Sequence, residues 1–220
     1  MTRARPCILI TSFEPFGGSA VNPTIEVARL LAAMPCAQGS RVYVTLPVVT
    51  GVEVGSAWAT AMPYLDELCP DAVVALGENG KADRVHFERI AINLRDARIA
   101  DNAGVQLSDT PVLDGAPNAH FATLPLRTML AACESAGVPA QLSLSAGAFL
   151  CNELMFRLLS HPRRLRAGFV HVPQLPEQAA LRGGPSMDAC TIARGVHAAL
   201  EALTQSLSPT LAQSDLEQRV

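Results

Sequence analysis

The sequence predicts an α/β fold, a single-domain three-layer α/β/α sandwich around a twisted, open, largely parallel (mixed) sheet. Two observations predict it. Apolar runs of strand length alternate with segments whose apolar residues recur at helical spacing, the pattern of a sheet covered by helices on both faces. The chain has 220 residues, 49% of them hydrophobic, enough to fill one core at the upper end of the usual single-domain size. The domain is expected over residues 1–207. The polar end "SPTLAQSDLEQRV", residues 208–220, reads as a frayed C-terminal tail.

The first element, "CILITSF", is a buried strand from Cys7 to Phe13. After the loop "EPFGGSAV", the segment "NPTIEVARLLAAM" starts a helix near Pro23, whose missing N–H costs nothing in a first turn. Gly17 and Gly18 read as a tight turn that brings backbone close to a substrate. No GxxxxGK[ST] pattern accompanies them, so they are not a phosphate loop. "RVYVTLPVV" follows as a strand, "VEVGSAWATAMPYLDELC" as a helix disturbed at Pro63, and "DAVVALG" as a strand.

From Glu78 to Pro125 the alternation breaks into short strand-like pieces, such as "RVHFERIAIN", among Asp, Asn and Gly turns. Long irregular excursions in compact domains are more often functional than accidental. Alternation resumes with the helix "LRTMLAACESAG", the strand "AQLSLS", a helix around Cys151, the strand "AGFVHVP", and a long helix from about Ser186 to Leu207. Ser186 reads as that helix's N-cap, with Asp188 in its first turn.

Composition excludes several functions. The formal net charge is −3, and Lys81 is the sole lysine among 17 basic residues. The one basic cluster, "HPRRLR" from His161 to Arg166, lacks aromatic neighbours, which argues against nucleic acid as a partner. No apolar run reaches the roughly eighteen residues of a membrane span, and "MTRARPCILITSF" is too short in its apolar part for a secretory leader. A cytoplasmic protein with no membrane partner is expected. Cysteines at 7, 36, 69, 133, 151 and 190 show no CxxC or zinc-ligand spacing, so they are read as thiols in a reducing compartment, with no metal and no cofactor.

Only Cys151 has a special address. In "LSLSAGAFLCNELMF" a strand turns through Ala-Gly into a helix, and the cysteine falls in its first turn, where the helix dipole and unpaired N–H groups favour a thiolate. A thiol nucleophile needs a base that later returns the proton to the leaving amine. Of five histidines, His197 lies within the final helix, His161 beside Pro162, and His120 in the excursion, whereas His86 precedes the acidic Glu88 by two residues. His171 ends the buried strand after the Cys151 helix, and open α/β sheets bind ligands at the carboxyl ends of their strands. If the strand before Cys151 runs parallel to it, one short crossover brings nucleophile and base together. Glu88, flanked by apolar residues, is a candidate to orient the imidazole; taken alone, a carboxylate is more often a surface partner for a nearby arginine. The backbone N–H of Cys151 is a natural oxyanion donor.

Five separated blocks, "SFEPFGGSAVNP", "FERIAINLRDARIADN", "SAGAFLCNELMF", "GFVHVPQLPEQ" and "GGPSM", together resemble the pyroglutamyl peptidase I (pyrrolidone-carboxylate peptidase) family of cysteine peptidases, in order and over nearly the whole chain. The resemblance implies hydrolysis of the amide bond after an N-terminal pyroglutamyl residue through a thioester acyl-enzyme. It implies Cys151 as nucleophile, His171 as acid/base and Glu88 as the orienting carboxylate. Arg98 is implied as a second oxyanion contributor, and Phe13, Phe16, Phe149 and Ile99 as apolar walls for the flat lactam, although Phe13 taken alone reads as core packing. N-terminally pyroglutamylated peptides are the implied partners, and a homo-oligomer, dimer or tetramer, the implied assembly.

The chain departs from the family pattern at five positions. Glu78 stands where Gln is usual, Lys81 and Ala82 replace a Gly-Arg pair, His86 replaces Ser or Thr, and Leu144 replaces Asn near the nucleophile. An added carboxylate at Glu78 is harmless if solvated and repels substrate if not. Two alternatives stay open on these grounds: a related thiol amidohydrolase with altered N-terminal acyl specificity, and a catalytically weak binding homologue.

Overall fold

The computed structural model describes residues 5–208. Of the tail expected at 208–220, all but Ser208 lies outside the described residues. The main sheet is assembled from β1 (Cys7–Phe13), β2 (Ser40–Leu46), β3 (Ala72–Glu78), β4 (Val85–Glu88), β7 (Ala140–Ser143) and β8 (Ala167–Val172), in the order β2-β1-β3-β8-β4-β7. A second, two-stranded sheet pairs β5 (Ile90–Ile92) with β6 (Ala119–Phe121), antiparallel. The α/β fold is therefore as the sequence predicts, with a mixed sheet.

Strands β1, β3 and β8 read as unbroken apolar runs because they are central and covered on both faces. Their alternate residues feed two cores. Ile8, Ile10, Val74 and Val170 pack with Val27 and Leu31 of α1 (Pro23–Ala33), Met129 and Cys133 of α3 (Leu126–Ser135), and Ile192, Val196 and Leu200 of α6 (Ala189–Leu207). On the other face Leu9, Val73, Ala75 and Phe169 pack with Ala61 and Leu65 of α2 (Ala57–Leu68) and with Leu154, Met155 and Phe156 of α4 (Leu150–Leu159). Each large aliphatic or aromatic side chain so buried contributes about 1.5–3 kcal/mol.

Several boundaries differ from expectation for local reasons. Helix α2 starts at Ala57, because Gly55 takes a positive φ of 89° and Ser56 caps Ala59 N–H; the helix then runs through Pro63. Helix α6 is capped by Asp188, whose carboxylate accepts Thr191 N–H, and not by Ser186; Met187 N–H is held back by the Gln174 carbonyl. The piece "RVHFERIAIN" divides at Arg89: β4 joins the main sheet and β5 leaves it. A short helix, α5 (Pro176–Arg182), lies between β8 and α6.

Candidate active site

The nucleophile and base candidates meet, but not by the expected crossover. Strand β4 runs antiparallel to β8, and β7 runs parallel to β4. The strand before Cys151 therefore points opposite to β8, and its last residue, Ser143, is level with Glu88 and Phe169 and not with the end of β8. Residues 144–149 carry the chain across the sheet to α4. There the Cys151 sulfur sits above β3, 3.0 Å from where a Cβ on Gly77 would lie, and Gly77 is the register partner of His171.

Cys151 occupies the second position of α4, a helix with N-cap Phe149 and no side-chain cap on its first N–H groups. Those N–H groups have no intrahelical partner, and they carry the positive end of the helix dipole. Asn152 fixes the next turn: buried completely, it accepts Ile92 N–H at 2.9 Å and donates to the carbonyls of Ile92 and Leu94. The excursion is thus stitched to the helix of Cys151 by one amide.

His171 is buried at the end of β8, and its Nδ1 donates to Glu88 Oε1 at 2.8 Å. Glu88 lies diagonally across β4, opposite Phe169 in register and fully buried, a spacing within reach of a long side chain. The surface-arginine reading of Glu88 is thereby excluded. Burial alone would push the His171 pKa down. The negative charge of Cys151, its hydrogen bond to the imidazole, and the hydrogen bond and charge of Glu88 outweigh that and raise it to about 9. The arrangement favours the charged form of the His171 imidazole beside the candidate thiol.

A cavity of about 560 Å³ opens over this pair, within the range of small-molecule sites. Phe16, Phe149, Ile99 and Arg98 line it together with Cys151 and His171. The Phe16 and Phe149 ring centroids lie 6.4 Å apart, with the rings tilted by 45°. Gly17 and Gly18, both at positive φ, turn the chain just after Phe16, and a Cβ on Gly17 would touch Ile99 at 3.4 Å. Phe13 is placed differently: it is buried against Phe169 at 6.5 Å and borders a narrow recess of about 20 Å³ with Phe16, Phe149 and Cys151.

The departures from the family pattern resolve into contacts. Glu78 borders the cavity, yet Oε1 accepts from Arg182 at 3.2 Å and Oε2 from Gln178 at 3.1 Å. Its charge is therefore neither solvated nor presented bare to a substrate; it is balanced by α5. Leu144 is 68% exposed and is not among the cavity-lining residues, so the polar group expected to be missed beside the nucleophile is missed at the surface. Ala82 is buried and Lys81 exposed, its N–H accepted by Asn79 Oδ1.

Three residues escaped the sequence reading. Besides Asn152, Glu153 is buried on α4, where it pairs with Arg157 at 2.9 Å and accepts from Thr50 Oγ1 and Gly51 N–H. Gln174 ties the turn at Gly183 and Pro185 to the end of β8. Polar residues directly after the cysteine, inside an otherwise apolar helix face, were the available signal. Three other histidines have structural neighbours: His120 lies against Phe156 at 4.8 Å with the rings tilted, His161 lies 6.2 Å from Trp58, and His197 meets Arg41. Among the described residues, no group of three His, Cys, Asp or Glu side chains could hold a metal ion, and no helix is long and apolar enough to cross a membrane.

Comparison with known proteins adds an independent line. A family model described as pyroglutamyl peptidase matches residues 7–206. The pyrrolidone-carboxylate peptidase of Gloeobacter violaceus is 43% identical over 200 residues, covering 89% of this chain and 96% of that protein. That of Bacillus cereus is 37% identical over 202 residues, covering 90% and 92%. Among solved structures, a mutant pyrrolidone carboxyl peptidase from Pyrococcus furiosus superposes with a TM-score of 0.85 at 35% identity, covering 91% of this chain and 99% of that one. Pyroglutamyl peptidase I from Bacillus amyloliquefaciens gives 0.84 at 31% identity, covering 92% and 98%.

Proposed function

The chain belongs to the pyroglutamyl peptidase family, and from that premise we propose that it is a cysteine peptidase releasing N-terminal pyroglutamyl residues with Cys151, His171 and Glu88 as its triad. The observation that carries the assignment of roles is the buried His171, bonded to Glu88 at 2.8 Å and sharing a cavity with Cys151. The thiolate of Cys151 attacks the scissile carbonyl carbon, and the carbonyl electrons move onto oxygen. That oxyanion is met by the uncapped N–H groups at the start of α4 and by the Arg98 guanidinium. Collapse breaks the C–N bond as His171 passes its proton to the leaving amine, which leaves a thioester on Cys151. Water, deprotonated by His171, attacks the thioester; pyroglutamate departs and the thiol is restored.

A pyroglutamyl group is a neutral flat lactam with no ammonium for an acidic anchor to hold, so apolar walls with a few hydrogen bonds suit it. Phe16, Phe149 and Ile99 supply such walls, and Phe13 the floor beneath them. N-terminally pyroglutamylated peptides are the substrates in this reading. The catalytic unit spans residues 1–207 as one domain. A cytoplasmic location agrees with six cysteines that are all free, and a homo-oligomer, dimer or tetramer, with exposed Phe121, Val54 and Leu181.

The test is hydrolysis of a pyroglutamyl-coumarin amide by freshly reduced protein, with prolyl and acetyl-aminoacyl amides alongside. Turnover of the first alone is expected. No turnover by the reduced wild type overturns the proposal, and preference for another amide transfers it to a related thiol amidohydrolase.

A further inference from the structure

The side chains of Gln141, His86 and His171 form a row across β7, β4 and β8. His86 is the register partner of His171 on one side and of Gln141 on the other. Directly opposed residues of antiparallel strands place their side chains on one face, with Cβ atoms about 4.5–5.5 Å apart. Gly77, with the Cys151 sulfur above it, is the next residue of the row beyond His171. The acid/base imidazole therefore has the nucleophile on one flank and a second imidazole on the other.

The contacts of His86 favour its neutral form. Nε2 lies 2.9 Å from the amide nitrogen of Gln141; an amide nitrogen donates only, so the ring nitrogen accepts and the proton sits on Nδ1. Protonation at Nε2 would reverse this bond and require the amide to turn over. The charged groups acting on the ring are Glu88, two residues along the same strand, His171 across the sheet on β8, and Asp83 and Arg84 in the preceding turn. Burial is the largest influence and, with the charges of His171 and Arg84, outweighs Glu88 and Asp83, so the His86 pKa lies below its ordinary value. Glu88 can respond to a change here. One of its oxygens serves His171, while Oε2 is buried with no hydrogen-bond partner among the described residues.

We propose that His86 is a positioning residue for His171: neutral, it leaves the Glu88 carboxylate wholly to the catalytic imidazole; protonated, it draws on that carboxylate, repels the imidazolium and switches the site off. The proposal rests on the peptidase reading for the role of His171, but the coupling of the two imidazoles does not need turnover to be seen. Acid inactivation then requires two protons, one at the thiolate–imidazolium pair and one at His86.

The experiment is the pH dependence of iodoacetamide alkylation of Cys151, read by mass of the labelled peptide, in wild type, His86→Ser and His86→Gln, with kcat/KM for the pyroglutamyl amide measured in parallel. Below both ionisations the wild-type rate should fall about 100-fold per pH unit, and that of either variant about 10-fold. Superposable acid limbs overturn the proposal. Should both variants fail to fold, NMR titration of the wild-type histidines decides: His86 and His171 shifting each other's titration supports it, and independent titration overturns it. A two-proton alkylation limb without pyroglutamyl turnover would sink the peptidase reading and leave the coupling of His86 to His171 standing.

Discussion

Helices α3 and α4 each carry a cysteine whose sulfur rests against a glycine, yet the two sulfurs lie in opposite surroundings. A Cβ on Gly195 would lie 2.7 Å from the sulfur of Cys133, and one on Gly77 would lie 3.0 Å from that of Cys151. Cys133 is fully buried near the end of its helix, donates weakly to the Val138 carbonyl at 3.8 Å, and has its pKa pushed up to about 12, by burial first and by Glu134 second. Cys151 stands at the start of its helix, half-buried, with His171 beside it and a cavity above. Close seating on glycine is common to both, so it does not make a nucleophile. What differs is the end of the helix, the presence of an adjacent imidazole and access for a ligand.

The sharpest way to break the comparison is to delete each sulfur. Cys151→Ala should lower kcat/KM on a pyroglutamyl amide by at least about 10⁴-fold, since a covalent route has no substitute group. Cys133→Ala should leave kcat/KM within about two-fold and cost about 1 kcal/mol through the small void, a fall in Tm of about 2–4 °C. Equal losses of activity in the two variants would refute the distinction.

Next in size is the base's partner. Glu88→Gln should reduce kcat by about 10²- to 10⁴-fold, because the imidazole loses the group that fixes its tautomer and stabilises its charged form. The pH profile carries the sign. The His171 pKa is raised to about 9, so the imidazolium is present below that pH and is lost as pH rises through it. The wild-type rate should therefore decline near pH 9, and in Glu88→Gln the decline should begin at lower pH. A base limb that does not move would remove Glu88 from the proposed triad.

The same contrast shows what could be read in the sequence. The α/β alternation was legible because β1, β3 and β8 are central strands whose burial on both faces leaves unbroken apolar runs. The reversal of β4 and β7 was not, since strand direction depends on distant pairing and leaves no local mark. Helix α5, seven residues long, is too short to display a helical period. In the site, Cys151 and His171 stood out by position, at a helix start and a strand end. Glu88 needed the family motif, because the burial of a carboxylate is decided by what packs over it. Glu78 was visible as a departure, but its balancing Arg182 lies 104 residues away and only folding shows the pair.

A smaller loss of activity than removing either Cys151 or Glu88 should come from filling the two glycine seats. In Gly195→Ala the new methyl meets Cys133 at 2.7 Å and Val138 at 2.8 Å, both within the core beneath α3 and α6. Overpacking of that kind costs about 1–3 kcal/mol, and no residue of that core lines the cavity, so Tm should fall while kcat holds. In Gly77→Ala the methyl meets the Phe169 ring at 2.6 Å and the Cys151 sulfur at 3.0 Å, and Phe169 lies against the His171 ring at 4.8 Å. A similar loss of stability should therefore come with a fall in kcat of about 10-fold, because misplacing reacting groups by a fraction of an ångström already weakens a preorganised site. Thermal melts and kcat on the same preparations separate the two. Matched melts with unequal kcat would show that Gly77 keeps space for the chemistry as well as for the fold, whereas equal kcat would make both glycines mere packing.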